Sequence, residues 1–348
     1  MIQCSRMIQH LNAFLEILNE PPSFDDDDSD NNDSTNTTST NSDENACEGL
    51  LKEFTDDEKT EIANVSYAFW IVNLKAHERL PVDGQRNSAL KEIRRHYVGE
   101  NRDHTKTLSA LKEAMDYRRQ YHVNILRSCC YENHKYDCDD DGGEAAGLAK
   151  KYRSFVIKDL ERQPMVVRGI DDKSRTIVYK SPRMSLSSSP SSSEGNNNAI
   201  DADEAFLMTQ LYTAEKAMAT NEFESKSKEE RLTVVFNFRD YSRKNSPSMY
   251  TIKTLVNVLQ RCYPERLGVL MIVDPPYWIR LAFNIVWPLL STATTEKIKL
   301  PSGQAAIDEA FHEVVGGNEK LAGMLANGEI SSIDLIDYTK QPFYCQFE

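Results

Sequence analysis

Apolar side chains recur along much of the chain at intervals of three and four, and a few short segments break that rhythm with continuous or alternating apolar runs. Ile8, Leu11, Leu15 and Leu18 share one face of a helix expected within Met1–Asn19, which would dock on the main body or on a membrane surface. Thr55 followed three residues later by Glu58 is a helix-start signature. Ile62, Val65, Phe69 and Val72 then continue at helical spacing. Leu90, Ile93 and Tyr97 mark a further helix beyond the turn at Pro81–Gly84, and Leu108, Leu111 and Met115 mark another, so residues 50–136 read as a helical region. Met165–Arg168 and Thr176–Lys180 flank a polar turn and read as strands. Leu232–Phe238 is a strand with Val234, Phe236 and Phe238 on one face, and Val269–Val273 is a buried strand. Helices are expected at 202–218, 250–261, 307–314 and 319–325. Helices alternating with strands predict an α/β architecture.

The densest pattern lies between Cys262 and Leu300. Tyr263-Pro264-Glu265-Arg266-Leu267-Gly268 is a polar turn, the strand at 269–273 follows, and Pro275-Pro276 breaks it. Residues 277–290 then have helical length, with Pro288 inside the last turn. Trp278, Leu281, Ala282, Ile285 and Leu289 make one apolar stripe, and Ile279, Phe283, Val286 and Leu290 make a second beside it. Only Arg280 and Asn284 are strongly polar. Such a helix must be covered on both sides or face lipid, and it falls short of the roughly twenty apolar residues that cross a bilayer. Two readings stand: a central core helix, or a lid with an apolar cavity on one side and, transiently, a membrane on the other.

The same forty residues resemble the CRAL-TRIO family of yeast-type phosphatidylinositol transfer proteins, retinaldehyde-binding protein and tocopherol-transfer protein. The turn Tyr263–Gly268, the strand, the break at Asp274-Pro275-Pro276, the apolar helix ending in Trp287-Pro288-Leu289-Leu290 and the segment Glu296–Leu300 follow in the family's order. The resemblance implies a mixed β-sheet floor with helices and an apolar gate helix, preceded by a small helical region similar to residues 101–123. It divides the chain into a leader at 1–49, the helical region at 50–136, a linker at 137–150 and a lipid-binding domain at 151–348. It implies a ligand pocket with Phe236, Phe238 and Met271 on the floor and Tyr277, Trp278, Leu281, Ala282 and Ile285 on the gate. Arg239, Arg243 and Lys253 are the candidate head-group contacts. In phosphatidylinositol-transferring members a lysine precedes the proline that ends the gate helix and an acid lies on the preceding helix. Here those positions are Trp287 and Thr254, which leaves a neutral lipid, phosphatidylcholine or an isoprenoid open.

Composition narrows the function classes. Residues 21–48 hold nine carboxylates and no Lys or Arg, most of the excess behind the net charge of −13. The rest is only mildly acidic, with no basic field for nucleic acid. Residues 21–46 and the Ser/Asn-rich insertion 181–199 carry too little apolar surface to offset ordering entropy and are expected to be disordered. Ser181-Pro182 and Ser189-Pro190 would then be accessible for phosphorylation. The seven cysteines form no C-x-x-C, match no common zinc spacing and read as free thiols. No signal peptide or membrane span is expected, so the chain reads as cytoplasmic with transient membrane association. The seven histidines are scattered, and neither a phosphate-binding loop nor a nucleophile elbow occurs. A non-catalytic carrier is expected, with no cofactor other than its lipid or other hydrophobic ligand. An acyl chain of about sixteen methylenes gains on the order of ten kcal/mol gross in such a pocket. A scaffold that uses the domain to bind proteins is the alternative, and a lipid hydrolase ranks third.

Overall fold

The computed structural model describes residues 13–22, 37–76, 80–81, 83–130, 143–181, 186–187, 199–226, 228–241, 243, 246–316, 318–327 and 333–341. The chain forms two compact units, Met1–Tyr117 with Arg261–Glu265, and Arg118–Gln260 with Arg266–Glu348.

The first unit is helical. Residues 13–19 form a helix whose Phe14, Ile17 and Leu18 are buried, with the Phe14 ring 5.5 Å from that of Tyr67. The apolar stripe expected here therefore docks on the unit's own body, although Ile8 and Leu11 lie outside the described residues. Five helices follow: α1 (Thr37–Leu51), α2 (Asp56–Ala63), α3 (Tyr67–Ala76), α4 (Gly84–Gly99) and α5 (His104–Gln120). Helix α1 corrects the expectation of disorder over 37–46, and residues 23–36 lie outside the described residues. Its C-terminal half buries Cys47, Leu50 and Leu51, and Asp43, itself buried, accepts a 2.9 Å bond from Arg102 Nε. These apolar anchors and the ion pair offset the entropy that the polar composition alone does not. Thr55 caps α2 in a complete capping box, its hydroxyl accepting from Glu58 N and its own N–H donating to the Glu58 carboxylate. Gln85 Nε2 donates to Thr60 Oγ1 at 2.8 Å and ties α4 to α2.

The second unit is a mixed α/β layer structure. It continues with α6 (Val123–Ser128), α7 (Glu144–Arg162), β1 (Met165–Ile170), β2 (Thr176–Lys180), β3 (Leu186–Ser187), α8 (Ala199–Ser225) and β4 (Leu232–Asn237). Then come α9 (Met249–Cys262), β5 (Leu267–Val273), α10 (Tyr277–Val286), α11 (Thr292–Glu296), β6 (Ile298–Lys299), α12 (Gln304–Val315), α13 (Glu319–Asn327), β7 (Ile333–Asp334) and α14 (Leu335–Lys340). The main sheet has the order β1-β2-β4-β5-β6; β1 and β2 are an antiparallel hairpin and the remaining pairs are parallel. Parallel neighbours require crossovers, which α8, α9 and the α10–α11 segment supply. The start of α7 lies in the expected linker 137–150, where Tyr152, Val156 and Leu160 further along give the helix its buried face.

Helix α8 is buried along most of its length and holds the polar interior together. Glu215 accepts from Arg118 Nη1 at 2.9 Å and from Arg127 Nε at 2.8 Å, and Asn221 Oδ1 accepts from Thr176 N at 2.7 Å. Lys216 Nζ donates to the carbonyls of Tyr338 and Gln341 and thereby fixes α14, whose Tyr338 hydroxyl accepts from Val167 N. No pattern in the sequence placed this C-terminal segment.

Two glycines are forced by geometry. Gly316 ends α12 at φ +58°, and a Cβ there would collide with Asp172 Cβ. Gly268 lies under Arg175, and a Cβ there would meet Arg175 Cδ at 2.9 Å. Most of the insertion 181–199 lies outside the described residues, and its Leu186–Ser187 pairs in parallel with Ile333–Asp334. Ser181 corrects the expectation of an accessible acceptor: it is fully buried, and its N–H donates to Pro164 O at the end of the hairpin. Ser189 lies outside the described residues.

Candidate functional site

The two faces of the central strands differ in a way that alternation alone does not require. Residues paired across parallel strands project to the same side of the sheet. Val235 pairs with Met271 and Asn237 with Val273, and all four are buried. Helices α12 and α13 close that face: Tyr179 Oη donates to Leu325 O at 2.9 Å, and Lys299 Nζ pairs with Glu313 at 2.6 Å. On the opposite face Val234 pairs with Leu270 and Phe236 with Ile272. Here Ile272 is fully buried, but Val234, Phe236, Leu270 and, past the strand end, Phe238 are only half-buried, although β4 and β5 are interior strands. Large apolar side chains in the middle of a sheet that lack a full set of neighbours line a groove. Phe236 and Phe238 lie on this groove, their rings 6.1 Å apart. Met271 does not. It sits one residue out of phase with Phe236 and belongs to the solid core on the other face, a consequence of the period of two that the apolar run 269–273 conceals.

Helix α10 follows β5, and its residues divide into two arcs. A turn of 100° per residue places 278, 279, 282, 283 and 286 on one arc and 277, 280, 281, 284 and 285 on the other. Trp278 and Ala282 take the inner arc with buried Val286. The Trp278 ring stacks on Tyr241 at 5.8 Å, and Tyr241 meets Phe238 edge-on at 5.2 Å, so one aromatic series runs from β4 to the helix. Tyr277, Leu281 and Ile285 lie on the other arc and are 76%, 47% and 48% exposed. With Trp287 and Leu289 they form an exposed apolar ridge, with Arg280 and Asn284 on the same arc. The helix continues into a 3-10 turn at Trp287–Leu289, as Pro288 requires, and Gln260 Nε2 of α9 donates to Leu289 O.

The expected head-group cations are not in the groove as free donors. Arg239 is committed elsewhere: Nε pairs with Asp274 at 2.6 Å, Nη1 donates to Ala326 O and Nη2 to Gln304 Oε1. Arg243 and Lys253 are exposed. The cation that does enter the groove face is Lys180, which closes β2 and pairs in register with Phe236. Its ammonium is buried beside the rings of Phe206 and Tyr241, 5.1 Å and 5.8 Å from their centres, and makes one hydrogen bond, to Gln163 Oε1 at 3.1 Å. Tyr241 Oη donates to the same oxygen at 3.0 Å. Burial, the largest influence, lowers the Lys180 pKa to about 8, against an opposing pull from Asp159. Burial likewise raises the Asp159 carboxyl against the pull of Arg162. Sequence reasoning missed Lys180, Gln163 and Tyr241. The available signal was a lysine ending the otherwise β-forming run Thr-Ile-Val-Tyr-Lys.

Residues 160–317, which contain this sheet, groove and helix, match the CRAL/TRIO domain family model. Phosphatidylinositol transfer protein CSR1 of Eremothecium gossypii is 26% identical over 171 residues, 48% of this chain and 35% of that protein. A CRAL-TRIO domain-containing protein of Schizosaccharomyces pombe is 33% identical over 70 residues, 20% of this chain and 7% of that one. The chain thus spans well under half the length of these curated relatives. Among solved structures it is similar to Sfh5 with a TM-score of 0.46 and 13% identity, covering 82% of this chain and 96% of that one. The match to the CRAL/TRIO family thus rests on residues 160–317, a little under half of the chain.

Proposed function

We propose that the protein binds a hydrophobic ligand, a phospholipid or an isoprenoid, in the groove between the sheet and α10, and transfers it between membranes or presents it at one. The observation that carries this is the half-burial of Val234, Phe236, Leu270 and Phe238 on interior strands whose other face is closed. Filling the groove with acyl chain completes their contacts and removes the chain from water, at roughly 0.8 kcal/mol per methylene. The family and the relative named as a phosphatidylinositol transfer protein support lipid as the cargo.

In this mechanism α10 is the moving part. Its inner arc, Trp278, Ala282 and Val286, covers the ligand, and its outer ridge of Tyr277, Leu281, Ile285 and Leu289 meets the bilayer. Contact with lipid favours the open arrangement because it covers the ridge, and release into water favours closure because an open groove exposes apolar surface. The uncharged Trp287 and Thr254 favour a head group other than inositol, such as choline.

Transfer of a fluorescent phosphatidylcholine between donor and acceptor vesicles tests the reading. The expected result is a protein-dependent rate that falls when Ala282→Trp fills the groove and stays when Asp308→Asn alters the opposite side. Equal rates for both variants and for vesicles alone would end it.

A further inference from the structure

The described residues hold two fully or nearly fully buried lysines on the elements around the groove, and their surroundings differ. Lys216 is satisfied by two backbone carbonyls, with the Tyr212 hydroxyl nearby. Lys180 has three N–H donors, one hydrogen bond to Gln163, and two ring faces. An ammonium buried with donors to spare is costly unless an acceptor arrives. Lys180 is also placed where a ligand would reach it. It lies in register with Phe236 on the groove face, and Tyr241 beside it stacks on Trp278 of α10. The opposite end of the cluster is closed by Gln163, whose Nε2 donates to Asp159 Oδ1, and by Arg162 on the same carboxylate at 2.6 Å. Asp159, the carboxyl whose charge acts on Lys180, is hydrogen-bonded to Arg162 and Gln163 and not to the ammonium.

We propose that the Lys180 ammonium, between Phe206 and Tyr241, receives a singly charged oxyanion at the polar end of the apolar ligand, either a phosphodiester or a carboxylate. This rests on the groove being the ligand site. The Tyr241 hydroxyl lies beside the ammonium and is positioned to turn its donor from Gln163 to the same oxyanion. The lowered affinity of Lys180 for its proton fits an ammonium whose partner is absent, since an oxyanion would restore its charge.

The full-length protein and the variants Lys180→Met and Lys180→Arg are incubated with vesicles of phosphatidylcholine doped with oleate and dioleoylglycerol, then desalted and weighed by native mass spectrometry. The wild type is expected to retain phosphatidylcholine or oleate about tenfold or more over dioleoylglycerol, and whichever it retains identifies the source of the oxyanion. Lys180→Met is expected to abolish that preference while still taking up dioleoylglycerol, and Lys180→Arg to keep most of it. A wild type without preference, or a methionine variant that keeps it, overturns the assignment and leaves the groove intact as a ligand site. A wild type that retains none of the three lipids overturns the carrier function itself. Should the methionine variant fail to fold, a pH series on the wild type decides: retention of the oxyanion lipid falls as the pH rises from 7 to about 9, while dioleoylglycerol uptake stays level. Parallel curves for the two lipids would refute the role of Lys180. The charged groups around it are Asp159 and Arg162 from α7, with the Tyr241 phenol from the loop after β4.

Discussion

Val234 and Val235 are neighbours on β4 and point to opposite faces, so enlarging each in turn asks whether the groove is space or packed core. Val235 is fully buried beside Met271 under α12 and α13, whereas Val234 is half-buried opposite Leu270 on the other face. A phenylalanine at 235 has no room, and overpacking of this kind costs roughly 1–3 kcal/mol. For a unit of this size that lowers the melting temperature by about 2–12 °C. A phenylalanine at 234 enters the groove. It buries on the order of 50 Å² of extra apolar surface at about 25 cal/mol per Å² and stabilises the ligand-free protein by about 1 kcal/mol. The same ring occupies the space of the ligand's chain, so lipid retention falls. The assay is a thermal melt of each delipidated variant, paired with the lipid content recovered after exposure to phosphatidylcholine vesicles. Opposite shifts of the two melting temperatures, with lipid lost from Val234→Phe alone, are expected. If Val234→Phe is as destabilising as Val235→Phe and lipid content is unchanged, the half-burial does not mark a binding groove and the reasoning fails.

Further outcomes follow from the same geometry. Leu281→Asp on the outer ridge is expected to leave stability within about 0.5 kcal/mol of wild type while reducing co-sedimentation with vesicles; undiminished co-sedimentation would remove the ridge from membrane contact. Glu215→Gln leaves Arg118 and Arg127 facing a neutral group in the interior and is expected to cost about 3–5 kcal/mol, measured as a lower urea midpoint, and an unchanged midpoint would contradict the buried ion cluster. In the ligand-free protein Lys180 has its pKa lowered to about 8 from 10.5. Between those values the unfolded chain binds the proton that the folded one has released, so stability rises with pH across that window. Lys180→Met should therefore raise the melting temperature at pH 7, by an amount worth on the order of 3 kcal/mol, and the gain should shrink towards pH 10; a constant difference across that range would contradict the buried ammonium. Burial first and Asp43 second push the Cys47 thiol up to about 12, so it should resist thiol reagents at pH 8 in the folded protein and react once unfolded, whereas rapid native labelling would place α1 elsewhere.

Much of the fold was legible because its elements have short-range signatures. Thr55 and Glu58 specify a cap from two residues, and the strands expected at 165–168, 176–180, 232–238 and 269–273 from apolar runs bounded by turns lie within one or two residues of the observed 165–170, 176–180, 232–237 and 267–273. Facing was harder. The run Val269–Val273 is apolar on both sides, so nothing local tells that Ile272 joins Phe236 while Met271 joins Val235; the register of pairing decides it. In α10 the two apolar stripes are equivalent in hydrophobicity, and only the positions of Arg280 and Asn284 hinted that Leu281 and Ile285 face outward. The polar end of the groove brings together Gln163, Lys180 and Tyr241 from separate segments, and each residue is unremarkable in its own neighbourhood. Helix α1 was missed for the related reason that its partner Arg102 lies far along the chain.

The most direct test of the central claim is native mass spectrometry of the full-length protein purified under mild conditions, followed by extraction and identification of bound lipid. A mass shift equal to one lipid per chain, lost on Ala282→Trp, is the predicted result. A ligand-free chain that also takes up no lipid from vesicles would contradict the carrier function and favour a domain that binds protein partners instead.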